Sequence, residues 1–109
     1  MRGDETITVI PAAGRDEYGD PLPAGPAVTI RGCVVLPRRV NSPERGMVLI
    51  DGFEVFAVDP AEMEKALQVT ARDTIRCRGD DYQVEGTPGD YRKSGRTKAV
   101  QMILKRAGT

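Results

Sequence analysis

The sequence predicts an all-β fold, a small antiparallel β-barrel with long loops and at most one short helix. Two short alternating runs, Thr74–Arg78 and Asp81–Glu85, meet at a tight Gly79-Asp80 turn. A Gly/Pro corner follows, and a final strand centred on Val100–Arg106 closes the chain. Twelve glycines and eight prolines in 109 residues supply the turns such a barrel needs. Short apolar alternation bounded by these residues is the signature of strands and hairpins. The length fits one domain, residues 1–109, with one modest core. Only five aromatics are present and no tryptophan, so that core rests on Val, Ile, Leu, Met and Ala and is thin.

Glu5–Ile10 is the first expected strand, rich in β-branched residues and stopped by Pro11. Its period of two sets Ile7 and Val9 on one face and Thr6 and Thr8 on the other. Residues 11–26 hold Pro11, Gly14, Gly19, Pro21, Pro23, Gly25 and Pro26, and read as a long ordered loop or short hairpin. Ala27–Leu36 is the second strand, where Gly32 marks a bulge or bend. Pro37–Gly46 reads as a polar loop, and Met47–Val58 as a long strand interrupted at Gly52.

Pro60–Leu67 is the single helical stretch. Asp59 can cap it, Pro60 suits its first position and Glu62 favours its opening turn. Gln68–Ala71 is expected as a bridging strand. In the hairpin that follows, Ile75 and Cys77 share the inner face with Tyr82 and Val84. Val100, Met102 and Leu104 point inward from the last strand, whereas Ile103 breaks the alternation and is free to pack on a neighbour.

The formal charge is zero but unevenly spread. Residues 1–71 carry eleven acids against seven bases, and residues 72–109 carry nine bases against five acids. From Tyr91 onward there are six bases (Arg92, Lys93, Arg96, Lys98, Lys105, Arg106) and no acid. A solvated basic face is one reading. The other is a dipolar subunit whose basic end meets an acidic surface on its neighbour, as a head-to-tail ring requires.

Catalytic motifs do not converge. Histidine is absent, which removes Ser-His-acid and Cys-His arrangements. No Gly-rich loop leads into Lys-Ser/Thr, so Walker-type phosphate binding has no carrier. Asp80-Asp81 reads as a pair of exposed turn formers, not an acid/base pair. Arg-Gly-Asp occurs at Arg2–Asp4 and Arg78–Asp80, a common tripeptide to which no adhesion role is assigned. Cys33 and Cys77 fall in alternating strands and are expected as buried free thiols, with no zinc site. No membrane-spanning or secretory run is visible. Neither a catalytic residue, nor a metal, nor a cofactor is expected. A basic C-terminal segment could neutralise phosphates, which makes a small nucleic-acid-binding β-barrel the alternative function. Against it, a single-strand binder needs aromatic platforms, and only Tyr82 and Tyr91 lie near that segment.

Gly14–Pro23, Gly32–Arg38, Gly79–Tyr91 and the basic strand Ala99–Ala107 together span nearly the whole chain. In their order and spacing the chain resembles the head-to-tail stopper, or head-closure, proteins of long-tailed bacteriophages. The resemblance implies a non-enzymatic structural protein with a β-barrel fold. It implies a ring of copies of the chain, six or twelve by the symmetry of a portal. Such a ring sits beneath the portal and adaptor and above the tail terminator or tail tube. It retains packaged DNA, which it can touch in the channel, and offers the surface on which the tail docks. Localisation would be the virion neck, reached from the host cytoplasm during assembly. The family's channel-closing loop corresponds to Pro37–Gly46, which gives Arg38, Arg39, Asn41, Ser42, Glu44 and Arg45 as channel-facing candidates. Contact candidates between subunits or partners are Arg15, Asp16, Tyr18, Asp20, Tyr91, Arg92, Lys93, Arg96 and Lys98. Two departures stand out. Tyr91 occupies a position where the family often has tryptophan, and Pro60–Leu67 is more helical than the family's usual turn.

Overall fold

A computed structural model describes residues 3–14, 16–22, 25–42 and 47–106; the side chains of residues 39–42 and 47–51 lie outside that description. Seven strands and one helix follow in the order β1 (Glu5–Ile10), β2 (Val28–Ser42), β3 (Met47–Ala57), α1 (Pro60–Leu67), β4 (Thr74–Cys77), β5 (Asp80–Val84), β6 (Gly89–Lys93) and β7 (Arg96–Arg106). All pairings are antiparallel, in the order β3-β2-β1-β4-β5-β7. Pairing of β3 with β7 closes six strands into a barrel, and β6 adds to β7 as an extra strand. Closure removes the sheet edges that an open sheet of this size would leave exposed.

Alternation places the core of β1, β4, β5 and β7 as the sequence predicts, and β2 and β3 add Ile30 and Val55. Ile7, Val9, Ile30, Val55, Ile75, Cys77, Tyr82, Val84, Val100, Met102 and Leu104 are all buried in one cluster. The closing seam has a steric condition. Gly52 pairs with Lys105 across it, and a Cβ at position 52 would stand 1.8 Å from the Leu104 carbonyl oxygen and 2.9 Å from its carbon. Both atoms are backbone, so no side-chain rotation relieves the clash. This is the close backbone approach that an isolated strand glycine signals.

One rim of the barrel is occupied by α1. Asp59 caps it, its carboxylate accepting from Ala61 N at 3.0 Å, and Pro60 opens the first turn. Met63 and Ala66 join the core from the helix. The helix docks where β2 bulges. Between the Glu5–Cys33 and Ile7–Ile30 pairs, β2 carries one residue more than β1, and Gly32 takes φ +67°. The Arg31 N–H donates instead to the buried Glu62 carboxylate at 3.2 Å. Glu62 is in turn held by Lys65 Nζ at 2.6 Å, and Lys65 donates to the Thr29 carbonyl at 3.2 Å. Helix and bulge therefore satisfy each other's polar groups, as burial demands.

The opposite rim is covered by Arg78. It occupies the β4–β5 turn, with φ +53° at Arg78 and +85° at Gly79, between paired Cys77 and Asp80. Two central residues with positive φ match the twist of a two-residue hairpin. The guanidinium forks onto Glu5 through Nε and Nη2, both at 2.8 Å, and lies 5.1 Å from the Phe53 ring centroid. Phe53 meets Tyr82 edge-to-face at 5.3 Å.

Four expectations are corrected. The turn residues are Arg78-Gly79, not Gly79-Asp80, because the twist requires positive φ at both central positions. Asp80 and Asp81 consequently belong to β5, where Asp81 pairs across the hairpin with Arg76 at 3.0 Å. Gln68–Ala71 is not a strand: it forms the exit from α1, with Val69 buried in the core. Pro37–Gly46 is not all loop, since β2 runs on to Ser42, paired with Met47. Residues 43–46 lie outside the described residues.

The seam makes a direct prediction. Gly52→Val should lower unfolding stability by about 3 kcal/mol or more, because the clash is with backbone. Urea denaturation followed by circular dichroism reads the change. A midpoint equal to that of the parent protein would contradict the account.

Candidate functional site

Two hairpins reach past the barrel wall. Pairing of β1 with β2 ends at Cys33, and pairing of β7 with β3 ends at Gly52. From Arg39–Ile50 to Ser42–Met47, β2 and β3 therefore pair only with each other among the described residues. A bulge between Arg38 and Arg39 marks where this ribbon leaves the wall. The radius of gyration, 15.4 Å, exceeds the roughly 13 Å of a compact chain of this length.

The second hairpin is β6–β7. Its turn, Ser94-Gly95, has φ +55° and +74°, and the pairing runs from Lys93–Arg96 to Gly89–Gln101. Every residue of β6 is exposed, and Tyr91 shows 62% of its surface. Arg92 is matched by Asp90 at 2.7 Å. No ion pair among the described residues engages Lys93, Arg96 or Lys98. Tyr91, Arg92, Lys93, Arg96 and Lys98 are thus brought together on one projecting element, which the sequence reading had left as a corner and a tail. The signal that could have found it is the Ser-Gly dipeptide, a two-residue turn former.

No protein-family model and no curated protein matches this chain.

Asp16, Tyr18 and Asp20 form another group, on the long connection between β1 and β2. The Asp16 carboxylate accepts from Tyr18 N and Asp20 N, both at 2.9 Å, and Leu22 N closes onto the Gly14 carbonyl at 2.8 Å. This ordered turn presents Glu17, Tyr18 and Asp20 to solvent, Tyr18 at 82% exposure, with Leu22 beside them. Arg15 lies outside the described residues. The channel-facing candidates divide. Arg38 sits at the base of the ribbon and is ion-paired with Glu85, so it belongs to the wall. Arg39, Asn41 and Ser42 lie on the ribbon by backbone register. Glu44 and Arg45 are outside the described residues.

A feature the sequence reading missed is an apolar band on the outer wall. Val34, Leu36, Phe56 and Ile103 face away from the core on β2, β3 and β7, crossed by a hydrogen bond from Gln101 to Glu54 at 2.7 Å. Leu36 is 44% exposed. Ile103 was expected to break the alternation for a neighbour; it sits in this band, half-buried.

A groove of about 430 Å³ lies between α1 and the β1–β2 connection, lined by Val9, Pro11, Val28, Lys65, Val69 and Asp73 among others. Two of its charged groups, Asp73 and Lys65, are engaged internally. The Asp73 carboxylate accepts from Thr70 N at 2.9 Å and Ala12 N at 3.3 Å, and Lys65 is bound to Glu62. Both cysteines are buried free thiols. Burial pushes the Cys33 thiol up to about 12, and Cys77 also rises through burial. No group of three or more His, Cys, Asp or Glu among the described residues could hold a metal ion. No described helix is long and apolar enough to cross a membrane.

The perturbed carboxylates all move downward. Hydrogen bonds from Arg78, Lys65, Arg38 and Arg92 hold Glu5, Glu62, Glu85 and Asp90 below their ordinary values. A lowered folded pKa gives stability that is present above the unfolded value, about 4.5 for glutamate, and is lost as pH falls through the folded value. The thermal midpoint should therefore fall progressively below pH 4.5, and Glu5→Gln should flatten that fall while lowering the midpoint at pH 7. An unchanged acid dependence in Glu5→Gln would show that the Glu5–Arg78 fork carries no linkage.

Proposed function

We propose that this protein is a ring-forming connector subunit of a phage neck, a head-to-tail stopper that acts by assembly and not by catalysis. The observation that carries the reading is a closed barrel with two hairpins extending beyond its wall. A scaffold of this kind fixes the base of each hairpin and leaves the tips for neighbours. The order of sequence segments noted above supports the head-closure reading.

Supporting features are chemical as well as architectural. The thiols are held protonated, the perturbed carboxylates are held ionised, and the groove's Asp73 and Lys65 are bound within the chain. The outer apolar band and the exposed Tyr18 and Tyr91 suit surfaces that are covered on assembly.

In this reading the β2–β3 ribbon is the channel element. It leaves the rim opposite α1, so copies in a ring would direct it toward one side of the assembly. One weak contact with DNA, repeated around the ring, gives retention through multiplicity. Portal or adaptor above and tail components below would then engage the remaining rim and wall.

The ribbon can be removed without touching the seam. Replacing Val40–Leu49 by Asn-Gly joins the paired Arg39 and Ile50 through a two-residue turn. The shortened protein should unfold with an unchanged urea midpoint, yet heads completed with it should lose packaged DNA. Normal genome retention in those heads would remove the gating role.

A further inference from the structure

The β6–β7 hairpin and the turn after β1 occupy related places in the barrel. Both emerge at the rim that α1 covers, because β1 ends there and β7 begins there. Around the six-strand cycle β1 and β7 are three steps apart in either direction, so the strands that root the two elements stand on opposite sides of the barrel. One is acidic and the other basic. Glu17 and Asp20 have no ion-pair partner among the described residues, and neither do Lys93, Arg96 and Lys98. Each group surrounds a solvent-facing tyrosine, Tyr18 on the turn and Tyr91 on the hairpin. Beside Tyr91 the sheet surface is small, since its paired residue is Ala99.

We propose that the exposed face of the β6–β7 hairpin, Tyr91 with Lys93, Arg96 and Lys98, is the docking site for the acidic turn Asp16–Leu22 of a second copy of this chain. The inference rests on the ring reading above and gives that ring its intersubunit contact. Charge complementarity selects a second copy as the occupant. The acidic element is preorganised by the Asp16 carboxylate, so little ordering is needed on binding. Tyr18 supplies the apolar anchor that such contacts concentrate at their centre. Because donor and acceptor surfaces differ and are rooted on strands on opposite sides of the barrel, the contact is heterologous. Repetition of a heterologous contact generates a closed ring or a filament, whereas a two-fold dimer would need one self-complementary patch.

A charge-swap pair tests this on the full chain. One variant carries Arg96→Glu and Lys98→Glu; the other carries Glu17→Lys and Asp20→Lys. All four positions are exposed, and circular dichroism checks that both variants fold. Sedimentation velocity at increasing concentration and low salt should show parent protein associating, each variant alone remaining monomeric, and the mixture recovering association. A parent protein that associates while both variants associate equally well would overturn this contact and leave the ring reading standing. A parent protein that stays monomeric throughout, including beside the neck components, would overturn the ring reading as well. Loss of association in both variants without recovery on mixing would overturn the pairing of these two faces. If the hairpin instead binds duplex or single-stranded DNA with a steep salt slope in a monomeric parent protein, it is a phosphate-contacting surface and the proposal fails.

Discussion

Closure of the sheet between β3 and β7 is the constraint on which the rest of the molecule depends. Without that seam the seven strands would form an open sheet with long free edges on a chain holding little apolar material. With it, the inward residues of six strands share one interior, and a helix and an arginine cover the two rims. Gly52 makes the seam possible, since any side chain there would enter the backbone of β7. The absence of one Cβ thereby governs a global property. The bulge at Gly32 works on a smaller scale: it frees the Arg31 N–H and gives α1 a polar point of attachment.

A closed barrel has consequences for what the molecule can do. Its interior is lined by Val, Ile, Leu, Met, Cys, Phe and Tyr side chains among the described residues. The elements that project or lie exposed are the ribbon, the β6–β7 hairpin, the acidic turn and the outer apolar band, and the proposed contacts fall on them. Those elements gain precision from being rooted in rigid strands, because the pairing register fixes where each begins. The proposed ring would use this arrangement, since modest contacts repeated by symmetry add up.

Much of the barrel was legible in the sequence because its wall has one buried face. Alternation located Ile7 and Val9, the Ile75, Cys77, Tyr82 and Val84 quartet, and Val100, Met102 and Leu104. Asp59 and Pro60 located the helix start. What escaped lies where no buried face enforces a period. The ribbon is paired strand, yet Asn41 and Ser42 read as loop, since an element outside the wall needs no inward apolar set. β6 was missed for the same reason, every residue in it being exposed. Gln68–Ala71 was misjudged as strand because buried Val69 serves the exit of α1. Of the candidate site, the residue identities on the hairpin and acidic turn were legible, but their grouping was not, because it depends on strand order.

Native-state hydrogen exchange tests the central claim that one cooperative barrel carries separable appendages. Amides of the seam, Phe53–Ala57 and Val100–Leu104, should exchange only through global unfolding, with the same denaturant dependence as β1 and β2. Amides of β6 should exchange through local opening at lower free energy. Seam amides that open locally, while β1 and β2 stay protected, would show that the sheet is not closed and would contradict the account.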